Sequence, residues 1–310
     1  MMTKRKDRNV NTRKSFLSER IRKITFPLPE DQQKQGFEPN FYIKFLRRVA
    51  KLLIVMLRLN GQNRFSNEFV QMLDPKLKVD LPDGTKMIFR TGHGRLLWRA
   101  RTFQDEEPLI IDWINQFDSK DCFYDVGANI GTYSLYAARR GIRTFAIEPE
   151  FNNLQLLYEN IFLNQLQETC TPIPIALGDS TKVEVFHLKS ISKGDALHSI
   201  GRPSYLLQDA SFTYKLDTLV MRLDDLISVF DLPKPTKIKI DVDYNELNVI
   251  KGAQKTLDDV QEVYIEIDLK LAEHREVLDL LEKKSFRVVS TESISRMWKP
   301  EISNYLFARR

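Results

Sequence analysis

From about residue 120 onward, hydrophobic positions along the chain follow two patterns that alternate. Short apolar runs predict buried strands near residues 122–126, 143–147, 171–176, 237–241, 262–267, 285–290 and 304–308. Between these runs, apolar side chains recur at helical spacing near residues 131–140, 151–163, 246–256 and 271–283. Strands that alternate with helices in this way indicate an α/β fold with a mostly parallel, doubly wound sheet.

The residues just before this alternation have a different pattern. Within residues 75–120, two short strand-like runs flank Asp83-Gly84, which predicts a β-hairpin. A lead-in helix then starts at Glu106-Glu107-Pro108 and continues to Phe117. This region therefore forms an extension in front of the alternating domain.

The alternating domain, residues 121–310, contains one long interruption of its pattern. The insert at residues 181–225 predicts two added strands, near 183–188 and 220–223, on either side of a loop rich in Ser, Gly and Pro. In doubly wound sheets, ligands bind outside the carboxyl ends of the strands. The insert is therefore expected to overhang the ligand site.

The N-terminal segment differs from the rest of the chain in charge. Residues 1–38 are polar with few aliphatic side chains, which predicts a basic, disordered arm. Residues 39–74 include an amphipathic helix, predicted over 41–59. Residues 1–60 carry fifteen Lys and Arg against five Asp and Glu, a net of +10, whereas the whole chain is +5. The basic character of the protein thus belongs to this segment.

Two interpretations of the basic helix remain open. It is either an interfacial anchor on anionic lipid, or a helix that covers the flank of the body with its charges in water. It is too charged to span a bilayer, and nucleic-acid binding is disfavoured because the segment lacks interleaved aromatic residues. No apolar run typical of a signal peptide follows the N-terminus. We expect a cytoplasmic protein; under the first interpretation, residues 1–60 would contact the inner face of a membrane.

Composition excludes several classes of protein. Hydrophobic content of 42% and charged content of 29% in 310 residues are typical of a soluble protein. The two cysteines, Cys122 and Cys170, are expected to be reduced core thiols. The chain has four histidines and no clustered Cys/His spacing, so no zinc site is predicted.

The candidate chemistry lies in one stretch, from Asp125 to Gly131, and in the acid Glu148 that follows the next strand. Gly127 and Gly131 allow the backbone to approach a ligand, and Glu148 can accept hydrogen bonds from both hydroxyls of a ribose. A dinucleotide site requires a third glycine to seat a pyrophosphate. This turn has one glycine fewer and carries Asp125, which would repel phosphate. The pattern favours S-adenosyl-L-methionine, whose ammonium and sulfonium groups are cationic.

Six motifs occur in the order found in FkbM-type S-adenosylmethionine-dependent methyltransferases, which this chain resembles over residues 98–310. They begin at residues 123, 146, 160, 176, 223 and 238 and read FYDVGANIG, AIEP, NIFLN, ALGD, LDDL and IKIDVD. The resemblance implies a Rossmann-like class I methyltransferase sheet whose last strand is antiparallel. It also implies O-methylation, mostly of sugar or polyketide-derived hydroxyls and often alongside polysaccharide assembly, with a small-molecule or glycan acceptor.

The resemblance also implies cofactor-binding roles. Gly127 and Gly131 would form the turn around the methionine moiety, Asp125 would face its ammonium or order a water there, and Asn129 could donate to its carboxylate. Glu148 would hold the ribose.

Two further acids keep two interpretations each. Asp179 either approaches the adenine amino group or is a turn residue in Gly-Asp-Ser. Glu107 either closes over the methionine end or favours a helix N-terminus.

Asp241 and Asp243 are the catalytic candidates, because they bracket the end of the fourth strand. They could orient the acceptor hydroxyl, with one as general base. They could bind a divalent cation together with Glu246. Alternatively, Asp241 orders the cofactor while Asp243 and Glu246 start the next helix. We favour positioning of the acceptor without a metal, with Glu246 in the substrate site.

Tyr244 departs from the family pattern, which has a glycine at this position. Its ring would narrow the acceptor pocket or stack on a sugar face. Alternatively, the tyrosine indicates a shifted substrate or lost activity.

His198, in the insert, is a candidate base or a loop histidine without a catalytic role. Two other functions stay open: a noncatalytic S-adenosylmethionine-binding protein and a nicotinamide-dependent oxidoreductase, which the turn disfavours.

Overall fold

The computed structural model describes residues 45, 46, 48–53, 55, 75–92, 94–196, 198–201, 214–293 and 302–310. The chain divides into two compact units, residues 1–75 and 76–310. Residues 1–38, for which the sequence predicts a disordered arm, lie outside the described residues. In the first unit, the described residues between 45 and 55 are helical, in agreement with the amphipathic pattern. Within the described ranges, no helix combines the length and the apolar character needed to cross a bilayer.

The second unit begins with the predicted hairpin. Strands β1 (Lys76–Asp80) and β2 (Lys86–Arg90) pair antiparallel, and helices α1 (Gly94–Glu106) and α2 (Pro108–Asn115) follow. The sequence predicted α2 but not α1, whose buried face is sparse and consists of Leu96, Ala100 and Phe103. A short apolar stripe between charged residues is a weak helical signal.

The core of the second unit is a sheet of seven strands. In chain order the elements are β3 (Cys122–Val126), α3 (Thr132–Arg139), β4 (Arg143–Ile147), α4 (Phe151–Leu163), β5 (Cys170–Ile173), β10 (Lys237–Ile240), α6 (Glu246–Gly252), β11 (Glu262–Asp268), α7 (Ala272–Lys283), β12 (Phe286–Ser293) and β13 (Ile302–Arg309). The strand order is β12-β13-β11-β10-β3-β4-β5. All pairs from β11 to β5 are parallel, and β13 is antiparallel to both of its neighbours. This is the predicted Rossmann-like sheet.

The insert forms a second sheet, in the order β6-β9-β7-β8. Its strands are β6 (Ala176–Leu177), β7 (Lys182–Leu188), β8 (Ser199–Ile200) and β9 (Tyr214–Met221), and helix α5 (Leu223–Phe230) follows. The prediction of a single strand at 171–176 was wrong, because the chain leaves the main sheet after Ile173 and β6 belongs to the second sheet. Pro174 comes next, and a proline cannot donate to a strand ladder.

Two other predicted boundaries were also wrong. The strand predicted at 220–223 ends at Met221, and Leu223 starts α5 instead. Asp224 and Asp225 lie in the first turn of α5, where negative charge favours a helix. The helix predicted to residue 256 ends at Gly252, a residue type that commonly stops helices.

Two apolar layers sandwich the main sheet. One packs the hairpin and helices α1 to α4 against one face, with Trp113, Phe123 and Tyr264 among its buried residues. The other packs α5 to α7 against the opposite face. Both cysteines are buried and free. Because both faces are covered, the sheet is open to ligands at the carboxyl ends of its strands.

Candidate functional site

The turn after β3 requires glycine at two positions. Gly127 has φ of +84°, and a Cβ atom there would lie 1.9 Å from the backbone oxygen of Asp241. Gly131 has φ of +89°, and a Cβ would lie 2.5 Å from the Leu157 side chain. The amides of Gly127 and Ala128 both donate to the carbonyl of Ile147, each at 3.0 Å. The turn is therefore narrow and fixed against the end of β4.

Asn129 joins this turn to the insert. It adopts a left-handed conformation with φ of +52°, which asparagine tolerates better than most residues. Its side-chain Nδ2 donates to the carbonyl of Asp195 at 2.9 Å, and Asn153 Nδ2 donates to the same oxygen at 3.2 Å. Gly194 N donates to Asn153 Oδ1 at 2.7 Å. The loop around Asp195 thus lies over the turn, as an overhanging insert predicts.

Glu148, just after β4, faces the turn and is 6% exposed. Its Oε2 accepts from Asn129 N and its Oε1 from Glu150 N, each at 2.8 Å. Burial raises the pKa of Glu148 to about 7, and the charges of Glu150 and Asp243 contribute. Each carboxylate oxygen can accept a second hydrogen bond. The glycine turn and this acid fit the ribose and methionine parts of an adenosine cofactor.

Asp125 lies below the turn rather than at its surface. It is 1% exposed, and its Oδ2 accepts from Ser134 Oγ at 2.5 Å, in the first turn of α3. Its Oδ1 lies 3.2 Å from Nζ of Lys239 on the neighbouring strand β10. The resemblance implied that Asp125 either faces the cofactor ammonium or orders a water there; a direct contact does not follow from this geometry, because the carboxylate is enclosed by the fold.

The loop after β10 closes over the turn and carries the acidic candidates. Asp241 and Asp243 are half-buried, and Asp241 Oδ2 lies 3.4 Å from Lys239 Nζ. Asp243 and Tyr244 are consecutive residues with positive φ, +52° and +74°. An ordinary side chain in this region costs about 1–2 kcal/mol. A glycine, which the resemblance implies for position 244, would adopt this φ without strain.

Glu246 supports this loop from inside. It is 1% exposed, and its Oε1 accepts from Val242 N and Tyr244 N, both at 3.3 Å. Its Oε2 accepts from His274 Nε2 at 3.0 Å, while His274 Nδ1 accepts from Asp268 N at 2.7 Å. This geometry places Glu246 under the loop rather than in contact with a substrate, contrary to the expectation from the sequence.

The Tyr244 ring stacks on the His274 imidazole, with centroids 6.3 Å apart. Tyr244 is half-buried at the surface of the loop.

Within the described ranges, no group of three or more His, Cys, Asp and Glu side chains could hold a metal ion.

Asp179 and Glu107 lie in different surroundings. Asp179 is exposed, its Oδ1 accepts from Ser180 Oγ at 2.9 Å, and its backbone carbonyl accepts from Arg222. The turn and adenine interpretations of Asp179 both stay predictions. Glu107 precedes α2 without capping it, and it accepts a hydrogen bond from the Tyr133 hydroxyl. Its charge also acts on Lys239, so Glu107 belongs to the group around Asp125 and Asp241.

His198 does not have the geometry of a general base. It is 8% exposed, and burial together with the charges of Lys189 and Arg95 lowers its pKa to about 4. Its Nδ1 accepts from Lys189 N at 3.3 Å. In a neutral imidazole the other nitrogen then carries the hydrogen. Neither ring nitrogen is therefore open to accept a proton, and the catalytic expectation for His198 is corrected.

Three supporting residues had no role in the sequence interpretation: Lys239, His274 and Asp195. Lys239 carried a signal, because a lysine inside the apolar run Ile238-Lys239-Ile240 is unusual in a strand buried on both faces. His274 and Asp195 carried none, since they reach the site from segments distant in sequence.

Comparison with known proteins identifies relatives of this chain. A family model described as the methyltransferase FkbM domain matches residues 125–288, more than half of the chain. The hexuronic acid methyltransferase AglP of Haloferax volcanii is 28% identical over 55% of this chain and 66% of its own length. The 31-O-demethyl-FK506 methyltransferase FkbM of Streptomyces tacrolimicus is 24% identical over 56% of this chain and 75% of its own.

Among solved structures, a methyltransferase FkbM from Methylobacillus flagellatus KT is similar to this chain. The identity is 20% and the TM-score 0.41, over 62% of this chain and 44% of that one.

Proposed function

The chain belongs to the FkbM methyltransferase family, and we propose that it transfers a methyl group from S-adenosyl-L-methionine to a hydroxyl group of a sugar or glycan. The observation that carries the cofactor assignment is the narrow turn from Gly127 to Gly131 beside the carboxylate of Glu148. The acceptor class rests on similarity to a protein named as a hexuronic acid methyltransferase. A nicotinamide-dependent oxidoreductase is disfavoured, because the turn has no third glycine for a pyrophosphate.

Residues of the turn would hold the cofactor. Glu148 would accept hydrogen bonds from the ribose hydroxyls, and backbone amides of the turn would surround the methionine end. When bound, the cofactor supplies a methyl group attached to a sulfonium. The neutral thioether that remains is a good leaving group, so the methyl group is readily transferred. The protein therefore has to align the acceptor oxygen and exclude water. We assign the alignment to the loop from Asp241 to Tyr244, which meets the turn at Gly127.

The acceptor hydroxyl has to lose a proton, and we assign its removal to the half-buried carboxylates of Asp241 and Asp243. We do not assign this role to His198, because its Nδ1 already accepts from Lys189 N. Glu246 acts indirectly, by holding two backbone amides of the loop. We propose that the acceptor is positioned without a metal.

Calorimetric titration tests the cofactor. We expect S-adenosylhomocysteine to bind and NAD not to bind. Binding of NAD without a response to S-adenosylhomocysteine would contradict the proposal.

Transfer of labelled methyl groups tests the acceptor. Glycans and lipid-linked sugars with and without hexuronic acids are the substrates, and labelled glycans identified as methyl ethers are the expected product. If S-adenosylhomocysteine binds but none of these acceptors is methylated, the alternative of a noncatalytic cofactor-binding protein is favoured.

We further propose that residues 1–60 contact an anionic membrane surface. Leu46, Leu52 and Leu53 of the first unit's helix are exposed, at 62%, 43% and 44%, on a segment with a net charge of +10. Basic residues near such a surface contribute about 1 kcal/mol each. Flotation with phosphatidylserine vesicles should be reduced in full-length protein by Arg48→Glu with Lys51→Glu and by high salt. Equal flotation of the wild-type protein and the double variant would contradict the membrane contact.

A further inference from the structure

Lys239 is a lysine in the middle of the main sheet. It lies on β10, directly beside Asp125 of β3 in the parallel register, and is 2% exposed. Asp241, two residues further along, faces the same side because side chains alternate along a strand. A charged group in this position is costly unless it is paired. Its partners therefore indicate why it is there.

The ammonium of Lys239 lies between two carboxylates. Nζ is 3.2 Å from Asp125 Oδ1 and 3.4 Å from Asp241 Oδ2, and the Tyr133 ring centroid is 5.7 Å away. Burial alone would lower the pKa of Lys239, but the charges of Asp125, Asp241 and Glu107 raise it above its ordinary value. Lys239 is thus a charged group that bridges β3 and the loop after β10.

The two carboxylates differ in exposure. The side chain of Asp125 is 1% exposed and bonded to Ser134, whereas that of Asp241 is 39% exposed. Asp241 also contributes the carbonyl that lies against Gly127. Lys239 therefore neutralises one acid within the fold and holds a second one at the surface of the site, next to the cofactor turn.

We propose that Lys239 is a positioning residue that holds Asp241 and balances the negative charge at the methyl-transfer end, so that it limits how strongly the site prefers the cationic methyl donor over its neutral product. This inference rests on the proposed methyltransferase function. Transfer of the methyl group removes the positive charge of the sulfonium, so the charge near it decides the relative affinity of donor and product. A surplus of negative charge would favour the cation.

The test compares two ligands that need no acceptor. S-adenosylhomocysteine is neutral at sulfur, and sinefungin carries an amine where the donor carries its methyl group. We measure both dissociation constants by calorimetry at about pH 8, where ordinary carboxyl groups are ionised. Lys239→Met should raise the ratio of the S-adenosylhomocysteine constant to the sinefungin constant at least about fivefold, because it removes a positive charge.

Two variants control for a merely structural effect. Lys237→Met removes another strand lysine on the same face, which pairs with Glu262 at 2.7 Å at the opposite end of β10. Lys239→Arg keeps the charge. Both should leave the ratio within about twofold of the wild-type value, whatever they do to stability. The same shift in Lys237→Met as in Lys239→Met would overturn the proposal.

Asp241→Asn provides a test that does not depend on the buried site. It removes a negative charge from a side chain that is partly exposed, so the ratio should fall about fivefold or more, opposite in sign to Lys239→Met. Unchanged ratios in this variant and in folded Lys239→Met, with S-adenosylhomocysteine still bound, would overturn the inference alone. Failure of the wild-type protein to bind either ligand is a different result, which would overturn the proposed function as well.

Discussion

The turn after β3 and the loop after β10 meet at the carboxyl end of the sheet, and both contain left-handed backbone. In the turn, the positive φ values fall on Gly127, Asn129 and Gly131, residue types that adopt them readily. In the loop they fall on Asp243, a residue type that tolerates them, and on Tyr244, a bulky residue that does not. The turn is thus specified by its own residues, whereas the loop depends on groups that reach it from elsewhere.

The supports of the loop are Glu246, His274 and Lys239. Glu246 bonds two loop amides and His274, and Lys239 pairs with Asp241 at the start of the loop. Strained backbone persists only where the surroundings determine it, and it is often found at functional sites. The comparison indicates that the cofactor end of the site is built locally and the acceptor end through tertiary contacts.

The largest effect is expected in the turn, from Gly127→Ala. The Cβ would lie 1.9 Å from the Asp241 carbonyl and the backbone would be strained, so the turn has to move. We expect S-adenosylhomocysteine affinity to fall at least about 100-fold. Gly141→Ala is the matched control, since Gly141 also has φ of +84° but nothing within 4 Å. Equal losses in both variants would show that strain alone matters.

The loop should be broken by Glu246→Ala. This change leaves two amides and the His274 Nε2 without their buried acceptor, and a buried donor left without a partner costs about 1–3 kcal/mol. Urea unfolding measures this change in the free energy of unfolding. Glu276→Ala removes an exposed pair with Lys251 and should cost under about 1 kcal/mol. A Glu246 variant as stable as the Glu276 variant would mean that the loop needs no such support.

Cofactor affinity should depend on Glu148 more than on Asp179. Hydrogen bonds to a charged acceptor contribute about 1.5–3 kcal/mol each, so Glu148→Ala should weaken S-adenosylhomocysteine binding about tenfold or more. Asp179→Ala should have a smaller effect, because that carboxylate is exposed and bonds to Ser180. Equal dissociation constants for the two variants would refute the ribose assignment.

Glu148 also predicts a pH dependence. Burial raises its pKa from 4.5 to about 7, so the folded protein binds a proton there that the unfolded chain has lost. This group therefore lowers stability as pH rises from about 4.5 to 7, while cofactor affinity should increase as the carboxylate ionises, by up to about tenfold between pH 6 and 8. Calorimetric titration with S-adenosylhomocysteine at several pH values measures this affinity. Glu148→Gln should bind with an affinity that does not change in this window.

The smallest effect on the cofactor is expected from Tyr244→Gly. The left-handed backbone becomes unstrained, which offsets the lost stacking on His274. S-adenosylhomocysteine affinity should stay within about twofold, while turnover of a glycan acceptor or the preference among acceptors changes more. Loss of cofactor binding by a folded variant would place Tyr244 on the wrong side of the site. Unchanged acceptor kinetics would support a packing role instead.

Much of this arrangement could be predicted from the sequence because it is local. The alternation of apolar runs predicted the mostly parallel, doubly wound sheet, and the glycine spacing with the acid Glu148 indicated an adenosine cofactor. Each of these features depends on the backbone freedom or the burial of neighbouring residues. The predicted element boundaries were wrong where a proline or a glycine ended a strand or helix, as at Pro174 and Gly252. They were also wrong where a pair of acids began a helix, as at Asp224.

Only the tertiary structure decided the roles of the polar residues. The sequence assigned Asp125 to a ligand and Glu246 to a substrate, but the fold encloses both, because Lys239 and His274 reach them from other elements. A carboxylate in a motif has the same chemistry whether it faces the site or the core. Which partner it meets depends on strand register and helix packing over long distances in the chain, and a single sequence does not contain that pairing in any local pattern.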